Sequence, residues 1–359
     1  MLKGLIIKGV DPVVILPEYG GLCEYLLRDK ITFKVLPYYF SMYPPLRGNY
    51  MLRDIALFMP RVFRMLFFNF IAIEKISKYI KVFDPDIIHT NVGPVYIGFH
   101  IAKKMNIPHV WHLREYQLLD FNIHPFLSMS RFKKMLQSRH NYCIAITKGI
   151  FDYFTLNDDA KTIYNGVLNS DERVFMDKKE KYFLYAGRLE SGKGIKNLIY
   201  SFIKFNQVNK EYALYIAGDT DDIKYKSQLL NIIRENNLEN SIIFLGMRDD
   251  IYKLMAKATA LIVPSIFEGF GRITAEAMFN GCLVLGYNTA GTKEILEPDN
   301  LGLLYLDSDE LINNMIEIAD NGIESYYPMI LKAQLRAVDL YSIEQNVNKV
   351  YDFYLDINN

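Results

Sequence analysis

The sequence predicts an α/β protein built from two doubly wound domains. Apolar runs of five or six residues alternate with helical patterns, which is typical of β-α-β units and parallel sheets. At 359 residues the chain exceeds the usual size of one core. A charged segment without apolar periodicity, residues 169–181, separates two alternating halves and predicts a linker. We therefore expect one domain at 1–170, a second at 181–340, and a terminal helix at 341–359 that packs toward the first domain.

The first half begins with a strand–helix–strand pattern and continues with three further strands. Short β-rich runs bounded by turn residues define the strands, and 3.6-residue periodicity defines the helices. We predict strands at 12–16, 31–36, 84–91, 109–113 and 141–147. The predicted helices are 22–29, 54–82 and one that follows residue 91 and ends at residue 104.

The most apolar helical stretch is 54–82, and Pro60 is the expected position of a break. Aromatic and basic residues are interspersed along it, a composition that suits the membrane interface. The alternative is that its phenylalanines belong partly to the core. Arg61 and Arg64 argue against a membrane-spanning helix, because a centred arginine costs about 2.5–3.5 kcal/mol.

The second half repeats the alternation with six strands. Several of these strands end in glycine, and parallel strands present their carboxyl ends at one edge of the sheet. The loops that follow them are therefore expected to converge on one ligand site. We predict strands at 182–186, 212–217, 241–245, 259–263, 283–287 and 302–306, and helices at 195–205, 225–236, 249–256, 272–279, from 310 onward and at 342–355.

The formal net charge is zero, but the two halves differ in sign. Residues 1–170 carry 21 Lys and Arg against 13 Asp and Glu, whereas the remainder carries 20 against 28. A basic first half favours an anionic partner on that side, and solvated charge without a partner is the alternative.

Cysteine usage and the start of the chain predict a cytoplasmic protein. Cys23, Cys143 and Cys282 are odd in number and far apart, which fits a reducing compartment and neither a disulfide framework nor a zinc site. The apolar stretch after Met1 is too short for a secretory signal and lacks a cleavage pattern.

A glycine-rich loop after the strand 182–186 carries two cations, Arg188 and Lys193. Such a loop can clamp a diphosphate, with the arginine forming bidentate hydrogen bonds and the lysine acting as a point charge. It is not a Walker A loop, because the Gly-x4-Gly-Lys-Ser/Thr order is missing. Plain surface charge is the alternative.

The stretch from Glu268 to Glu276 follows an apolar strand that ends at Pro264. It predicts a tight turn containing Gly269 and Gly271 that opens a helix. The unpaired N–H groups at the helix start favour an anion, and the two glutamates flank that position. A phosphate beside carboxylates that bind hydroxyls is what a sugar nucleotide requires. An ordinary strand–helix joint with solvated glutamates is the alternative.

Together these loops resemble those of glycosyltransferase family 4. The matching text is Tyr-Ala-Gly-Arg-Leu-x3-Lys-Gly at 185–194, Pro-Ser-x2-Glu-Gly-Phe-Gly-x4-Glu-Ala-Met-x2-Gly at 264–281 and Asn-Thr-Ala-Gly-Thr-Lys-Glu at 288–294. The resemblance covers residues 180–310 and, more loosely, the first half. It implies the GT-B fold, with two Rossmann-like domains facing across a cleft, and a retaining hexosyltransferase.

By position, the resemblance implies roles for the motif residues. Arg188 and Lys193 would neutralise the donor diphosphate, Glu268 would bind the transferred sugar as a catalytic residue, and Glu276 would bind the nucleotide ribose. The remaining donor-binding positions, at the helix start, would be Gly269, Phe270, Gly271 and Arg272.

The segment Val110-Trp-His-Leu-Arg-Glu115 is similar to the strand-end histidine loop of the family. The resemblance implies that His112 lies opposite the donor, near the sugar and the acceptor, as the second catalytic residue. A buried histidine with satisfied hydrogen bonds is the alternative.

The expected chemistry needs no metal and no cofactor. Breaking the sugar–phosphate bond places negative charge on the leaving diphosphate, which an Arg/Lys pair and a helix start stabilise. The resemblance implies retention by a same-face mechanism in which the departing phosphate assists acceptor attack. Glu268 as nucleophile or stabiliser is the alternative.

The amino terminus departs from the family pattern. Family members begin with a strand and a glycine-rich loop, whereas residues 1–10 match only the helix that follows them. Either the true start lies upstream, or the first domain lacks its first strand and part of its acceptor side. A missing central strand would expose sheet edges.

We therefore predict a glycosyltransferase that takes a UDP- or GDP-sugar to a saccharide or lipid-linked acceptor in surface or capsular polysaccharide synthesis. It would act on an anionic membrane surface at the inner face of the membrane, without nucleic acid. The alternatives are a non-catalytic partner in a polysaccharide assembly complex and a GT-B sugar-nucleotide epimerase. A nicotinamide dehydrogenase is disfavoured, because no Gly-x-Gly-x2-Gly follows a first strand.

Overall fold

The computed structural model describes residues 1–46 and 51–358. The chain divides into two compact units. The first unit contains Met1–Ile163 and Val347–Asn359, and the second contains Tyr164–Asn346. The boundary precedes the segment 169–181, which lies inside the second unit and is not the linker that we predicted.

Hydrogen bonds of Val174 fix this charged segment to the second unit. Its N–H donates to the carbonyl of Phe279 at 3.0 Å. Its carbonyl accepts a hydrogen bond from Gln334 Nε2 at 2.8 Å. The segment is attached through main-chain hydrogen bonds, which do not require apolar side chains at regular intervals. Its sequence therefore shows no apolar periodicity and resembles that of a linker.

The named strands of the first unit are parallel and form two separate sheets. One sheet pairs β1 (Val13–Leu16) with β2 (Thr32–Val35). The other contains, in spatial order, β3 (Ile88–Thr90), β4 (His109–Leu113), β5 (Asn141–Ala145) and β6 (Lys161–Thr162).

The strand β4 lies in the core of the first unit, and all five of its residues are buried. Trp111 is completely buried and contacts the rings of Tyr96 and Phe132, with centroids 5.6 and 5.1 Å away. Its indole N–H donates to the carbonyl of Val92 at 3.0 Å, so the polar end of the ring is also satisfied.

The helical stretch predicted at 54–82 is divided at Leu57 and not at Pro60. Pro60 lies in the first turn of the second piece, where the backbone N–H has no intrahelical partner and proline is tolerated. The helices of this unit are α1 (Leu2–Ile7), α2 (Gly21–Arg28), α3 (Met51–Ala56), α4 (Phe58–Ile80), α5 (Ile97–Met105), α6 (Leu118–Phe121), α7 (Met129–Leu136) and α8 (Lys148–Phe154).

The second unit contains one parallel six-stranded sheet, and each of its strands overlaps a predicted strand. The winding direction reverses between its first and fourth strands, as in a doubly wound dinucleotide-binding fold. In spatial order the strands are β12 (Leu303–Tyr305), β11 (Leu283–Tyr287), β10 (Ala258–Val263), β7 (Glu180–Ala186), β8 (Ala213–Ala217) and β9 (Ile242–Gly246).

Helices follow the strands of the second unit, and the last one continues into residues of the first unit. Within the described residues, none of the helices combines the length and apolar character needed to cross a bilayer. The helices are α9 (Ile195–Val208), α10 (Ile223–Glu235), α11 (Ile251–Lys257), α12 (Arg272–Phe279), α13 (Ala290–Leu296), α14 (Ser308–Asn321), α15 (Tyr327–Tyr341) and α16 (Ile343–Asn358).

Candidate active site

A cavity of about 230 Å³ lies at the carboxyl ends of β7 and β10, where the winding of the second unit reverses. In open α/β sheets, ligands bind at this position because the loops after the two strands diverge. Five of the predicted site residues line it: Arg188, Lys193, Glu268, Arg272 and Glu276. The structure therefore brings together side chains that are up to 88 positions apart in the sequence.

Gly194 holds the two strand-end loops against each other. Its φ is +71°, and an added Cβ would lie 2.1 Å from the carbonyl oxygen of Pro264. Only glycine allows this approach without strain. The residue directly after Lys193 thus sets the distance between the β7 loop and the end of β10.

Lys193 and Glu268 form an ion pair inside the cavity. The Lys193 Nζ donates to Glu268 Oε1 at 2.8 Å. The two side chains are 27% and 20% exposed, so the pair is shielded but accessible from the cavity. The Glu268 carboxylate therefore accepts a hydrogen bond from the lysine that we predicted to bind a diphosphate.

A second ion pair marks the start of α12. Arg272 Nε donates to Glu276 Oε1 at 2.6 Å, and the glutamate side chain is 9% exposed. The helix is preceded by Gly271 at φ +85°, which has no side chain to cap the helix. The first N–H groups of α12 thus lie beside a paired arginine and glutamate, a setting that favours an anion.

Arg188 is the most solvent-exposed cation of the cavity, and its Nη1 lies 2.9 Å from Glu190 Oε1. The loop backbone is fixed by Tyr185, whose hydroxyl donates to the Arg188 carbonyl at 2.8 Å. Burial, and then the nearby charge of Glu268, raises the pKa of Tyr185. The phenol consequently stays protonated as a hydrogen-bond donor.

The side chain of Phe270 points into the core and does not line the cavity. It is 4% exposed and contacts the rings of Tyr164 and Tyr341, with centroids 6.2 and 5.5 Å away. Between Gly269 and Gly271, it can therefore offer only its backbone to a ligand.

Several residues of this site were not predicted from the sequence. Tyr185, Ser265 and Ile273 also line the cavity. Two buried oxygens at the start of α13, Asn288 Oδ1 and Thr292 Oγ1, have no hydrogen-bond partner within the described residues. For Tyr185, near the end of β7, and Ser265, just after β10, the available signal was their position at a strand end, because strand ends converge in this fold.

His112 belongs to the first unit, on β4, and is completely buried. Its Nδ1 lies 3.3 Å from His89 Nε2, and His89 Nδ1 lies 2.5 Å from the Tyr354 hydroxyl. The other ring nitrogen of His112 has no partner within the described part of the chain. Burial, then the charges of Arg114 and His89, lowers its pKa well below the usual value, so the imidazole is neutral.

His89 is a neighbour of His112 that the sequence did not reveal. Burial, and then the charge of Arg114, lowers its pKa to about 3. The two histidines meet because β3 pairs with β4, and this pairing cannot be deduced from the order of the strands in the chain.

Glu115, just after β4, is a second titratable group that sequence reasoning left without a role. It is 7% exposed, and the Gly93 N–H donates to its Oε1 at 2.6 Å. Burial raises its pKa to about 7, opposed by the Gly93 hydrogen bond and reinforced by Asp120. Gln117 is completely buried beside the same glycine, and neither of its amide atoms has a partner among the described residues.

No group of three or more His, Cys, Asp or Glu side chains within residues 1–46 and 51–358 could hold a metal ion. Cys23, Cys143 and Cys282 are buried free thiols.

Comparison with known proteins gives a consistent result. Residues 169–334 match the family model of glycosyl transferases group 1. The chain is 29% identical over 177 residues to the N-acetylgalactosamine-N,N'-diacetylbacillosaminyl-diphospho-undecaprenol 4-alpha-N-acetylgalactosaminyltransferase of Campylobacter jejuni, covering 48% of this chain and 46% of that protein. It is 33% identical over 190 residues to the O-antigen chain mannosyltransferase of Salmonella typhimurium, covering 51% and 49%. The chain thus spans about half the length of these curated relatives.

The fold is shared with a solved structure. The crystal structure of HepE from Anabaena in complex with UDP matches with a TM-score of 0.77 at 19% identity, over 96% of this chain and 92% of that one. The predicted GT-B fold and the resemblance to bacterial surface-polysaccharide glycosyltransferases are confirmed. The assignment to family 4 itself stays a prediction.

Proposed function

We propose that the chain is a retaining glycosyltransferase, because residues 169–334 match the family model of glycosyl transferases group 1. It transfers a sugar from a nucleotide diphosphate-sugar to a lipid-linked saccharide. The observation that carries the proposal is the cavity at the switch point of the second unit, where three cations and two glutamates line the space beside the start of α12.

We propose that the donor is a UDP-sugar. The HepE structure was solved with UDP bound, which supports uracil over the guanine that we had left open. Arg188 and Lys193 bind the diphosphate, because they are the cations of the β7 loop that line the cavity. Glu276 binds the ribose, and Glu268 binds the hydroxyls of the transferred sugar.

The proposed reaction retains the configuration at the anomeric carbon. The bond between that carbon and the diphosphate oxygen breaks, and its electron pair stays on the diphosphate. The acceptor hydroxyl attacks from the same face and passes its proton to the departing phosphate oxygen. Arg188, Lys193 and the start of α12 stabilise the leaving charge, so the reaction needs no metal.

His112 is the proposed acceptor-side catalytic residue of the first unit. Its neutral ring and its unpartnered Nε2 leave one hydrogen bond to be made with a substrate hydroxyl. A buried polar atom without a partner costs about 1–3 kcal/mol, so a ligand that supplies the partner gains affinity.

The name of one relative supports a lipid-linked acceptor, and the name of another supports a surface polysaccharide. The Campylobacter protein is named for transfer to a sugar on diphospho-undecaprenol, and the Salmonella protein for the O-antigen chain. We therefore place the reaction in bacterial surface or capsular polysaccharide synthesis. The protein would act in the cytoplasm, at the inner face of the membrane.

The test is a transfer assay with UDP-sugars and an undecaprenyl-diphosphate saccharide. Glu268→Gln and Arg188→Ala should lower turnover about 100-fold, since each removes a charge used in the transition state. Arg248→Ala is a matched control, because Arg248 pairs with Asp250 two positions away, as Arg188 pairs with Glu190. Glu180→Gln, from the exposed pair with Lys257, is the second control.

The outcomes separate this function from its alternatives. Wild-type turnover no higher than that of Glu268→Gln would leave the chain as a non-catalytic partner in an assembly complex. An isomerised nucleotide sugar formed from the donor alone would identify an epimerase. An inverted anomeric product would contradict retention while leaving the glycosyltransferase assignment intact.

A further inference from the structure

The outward face of α4 is apolar along its first half and basic along its second. The inward face carries Val62, Met65, Asn69, Ala72 and Ile76, all buried. These positions follow the spacing of three and four residues that is typical of a core-facing stripe. This buried stripe is therefore the side of α4 that packs on the core of the first unit.

A second apolar stripe lies on the opposite, solvent-facing side of α4. It consists of Met59, Phe63, Phe67 and Phe70, which are 68%, 70%, 52% and 66% exposed. We call these four residues the outer stripe. They also recur at intervals of three and four residues, so they share one side of the helix. A contiguous exposed aromatic surface on a monomeric protein marks an interaction site.

The helix that precedes α4 also carries exposed apolar residues. In α3, Leu52 and Ile55 are 87% and 52% exposed. Tyr43 links the start of α4 to a later loop, because its ring packs on Phe58 at 5.9 Å and on Phe126 at 5.3 Å. The contacts of Tyr43 thus fix the start of α4 within the first unit, and the exposed apolar residues lie on the two consecutive helices α3 and α4.

The charges on and beside the outer stripe are positive. The sequence from Phe58 to Ile73 contains no Asp or Glu. The acidic residues that flank it are engaged: Asp54 is buried and accepts from Arg61 at 2.8 Å, and Glu74 pairs with Lys104.

Cationic side chains follow the outer stripe toward the end of the helix. Lys75, Lys78 and Lys81, which we call the lysine row, are exposed at intervals of three residues. Arg64 lies over the ring of Tyr39 at 5.4 Å, a cation–π contact beside the stripe. Aromatic residues and adjacent Lys or Arg are the combination that binds the interface of an anionic bilayer.

We propose that the outer stripe and the lysine row dock the first unit on an anionic lipid bilayer. The helix lies in the plane of the interface, with the aromatic rings among the acyl chains and the lysines at the headgroups. This deepens the proposed function, because a lipid-linked acceptor is held in the same bilayer. Charge selects lipid over a second copy of the chain, since two copies would bring their basic rows together.

The test is flotation with vesicles that contain neither acceptor nor nucleotide. The full chain is mixed with phosphatidylcholine vesicles, with or without phosphatidylglycerol. We expect binding to the anionic vesicles and weak binding to the neutral ones. Removing three charges by Lys75→Gln, Lys78→Gln and Lys81→Gln should weaken anionic-vesicle binding roughly 100-fold. Phe63→Gln, Phe67→Gln and Phe70→Gln together should weaken it about 10-fold or more.

Matched controls come from the second unit. The triple variant Val208→Gln, Ile223→Gln and Met247→Gln changes exposed apolar side chains, and Lys196→Gln, Lys210→Gln and Lys224→Gln changes exposed lysines. Both control variants should bind like wild type. Circular dichroism melting of every variant shows whether it is folded.

Three results would overturn the proposal. The first is that the lysine-row variant and the phenylalanine variant bind anionic vesicles as well as wild type does, and the second is that the second-unit control variants lose as much binding as these two. The third is that wild type binds no vesicles and instead forms a dimer in sedimentation velocity, which the phenylalanine variant abolishes. A failed transfer reaction has no effect on this readout. Conversely, a soluble acceptor analogue should be glycosylated at an unchanged rate by the α4 variants if only the docking surface is lost.

Discussion

The ion pair between Lys193 and Glu268 allows the proposed roles of the two residues to be separated. Their side chains share a 2.8 Å hydrogen bond inside the cavity. UDP carries the diphosphate but no sugar. If Lys193 binds the diphosphate and Glu268 binds the sugar, the two residues must affect UDP affinity in opposite directions.

The magnitudes follow from the contacts. Lys193→Met removes a charge-assisted hydrogen bond of about 1.5–3 kcal/mol, which corresponds to a roughly 10- to 150-fold rise in the Kd for UDP. Glu268→Gln replaces the charged partner of Lys193 by a neutral one. UDP then no longer has to break the ion pair, which makes its binding free energy about 1 kcal/mol more favourable, and the repulsion between the carboxylate and the diphosphate is removed. The Kd for UDP should therefore fall roughly fivefold, although transfer turnover collapses.

Isothermal titration calorimetry of UDP with the two single variants and the double variant measures these effects. The Kd of the double variant should lie closer to that of Lys193→Met than to that of Glu268→Gln, because without the lysine only the removed repulsion remains as a benefit. Lys257→Met, from the exposed pair with Glu180, is the matched control and should leave the Kd unchanged. A Kd that rises equally in Glu268→Gln and Lys193→Met would refute the assigned roles, as would an unchanged Kd in Lys193→Met.

Three further predictions concern strain, pH and metal. Gly194→Ala should destabilise the protein by about 1–3 kcal/mol or more in urea unfolding, because its φ is +71° and its Cβ would meet Pro264; an unchanged midpoint would contradict this. The raised pKa of Glu115, about 7, means that the folded state holds the proton more tightly than the unfolded state, so the stabilisation is present below about pH 4.5 and lost as the pH rises toward 7. Glu115→Gln should therefore match wild type near pH 4.5 and exceed its unfolding free energy by up to roughly 3 kcal/mol near pH 8, whereas a pH-independent difference would show that burial does not hold the proton. Excess EDTA should leave the transfer rate unchanged, and a loss that Mg²⁺ restores would contradict the metal-free proposal.

Much of the second unit was predictable from its sequence. Its strands are short and apolar, and they are separated by glycine-ended loops, so periodicity located all six of them. The start of α12 at Arg272 was also predicted, because Gly269 and Gly271 precede it. The short helix α13 was missed, since its seven residues provide less than two full turns of pattern.

The first unit was harder to predict because its signals are tertiary. The two-residue strand β6 is defined only by its pairing with β5. The contact of His89 with His112 depends on strand pairing, and the raised pKa of Glu115 depends on burial, neither of which a single sequence reports. The domain boundary was misplaced because charge was interpreted as solvent exposure, although Val174 is fixed to the second unit by hydrogen bonds.

The path of the chain has a consequence for biosynthesis. The last residues of α16 complete the first unit, where Val350 is buried and Tyr354 contacts His89, 265 positions earlier. Domains usually mature in the order in which they leave the ribosome. Here the second unit emerges whole before the first has received its final helix segment. The nascent first unit must therefore remain incomplete until α16 has been synthesised.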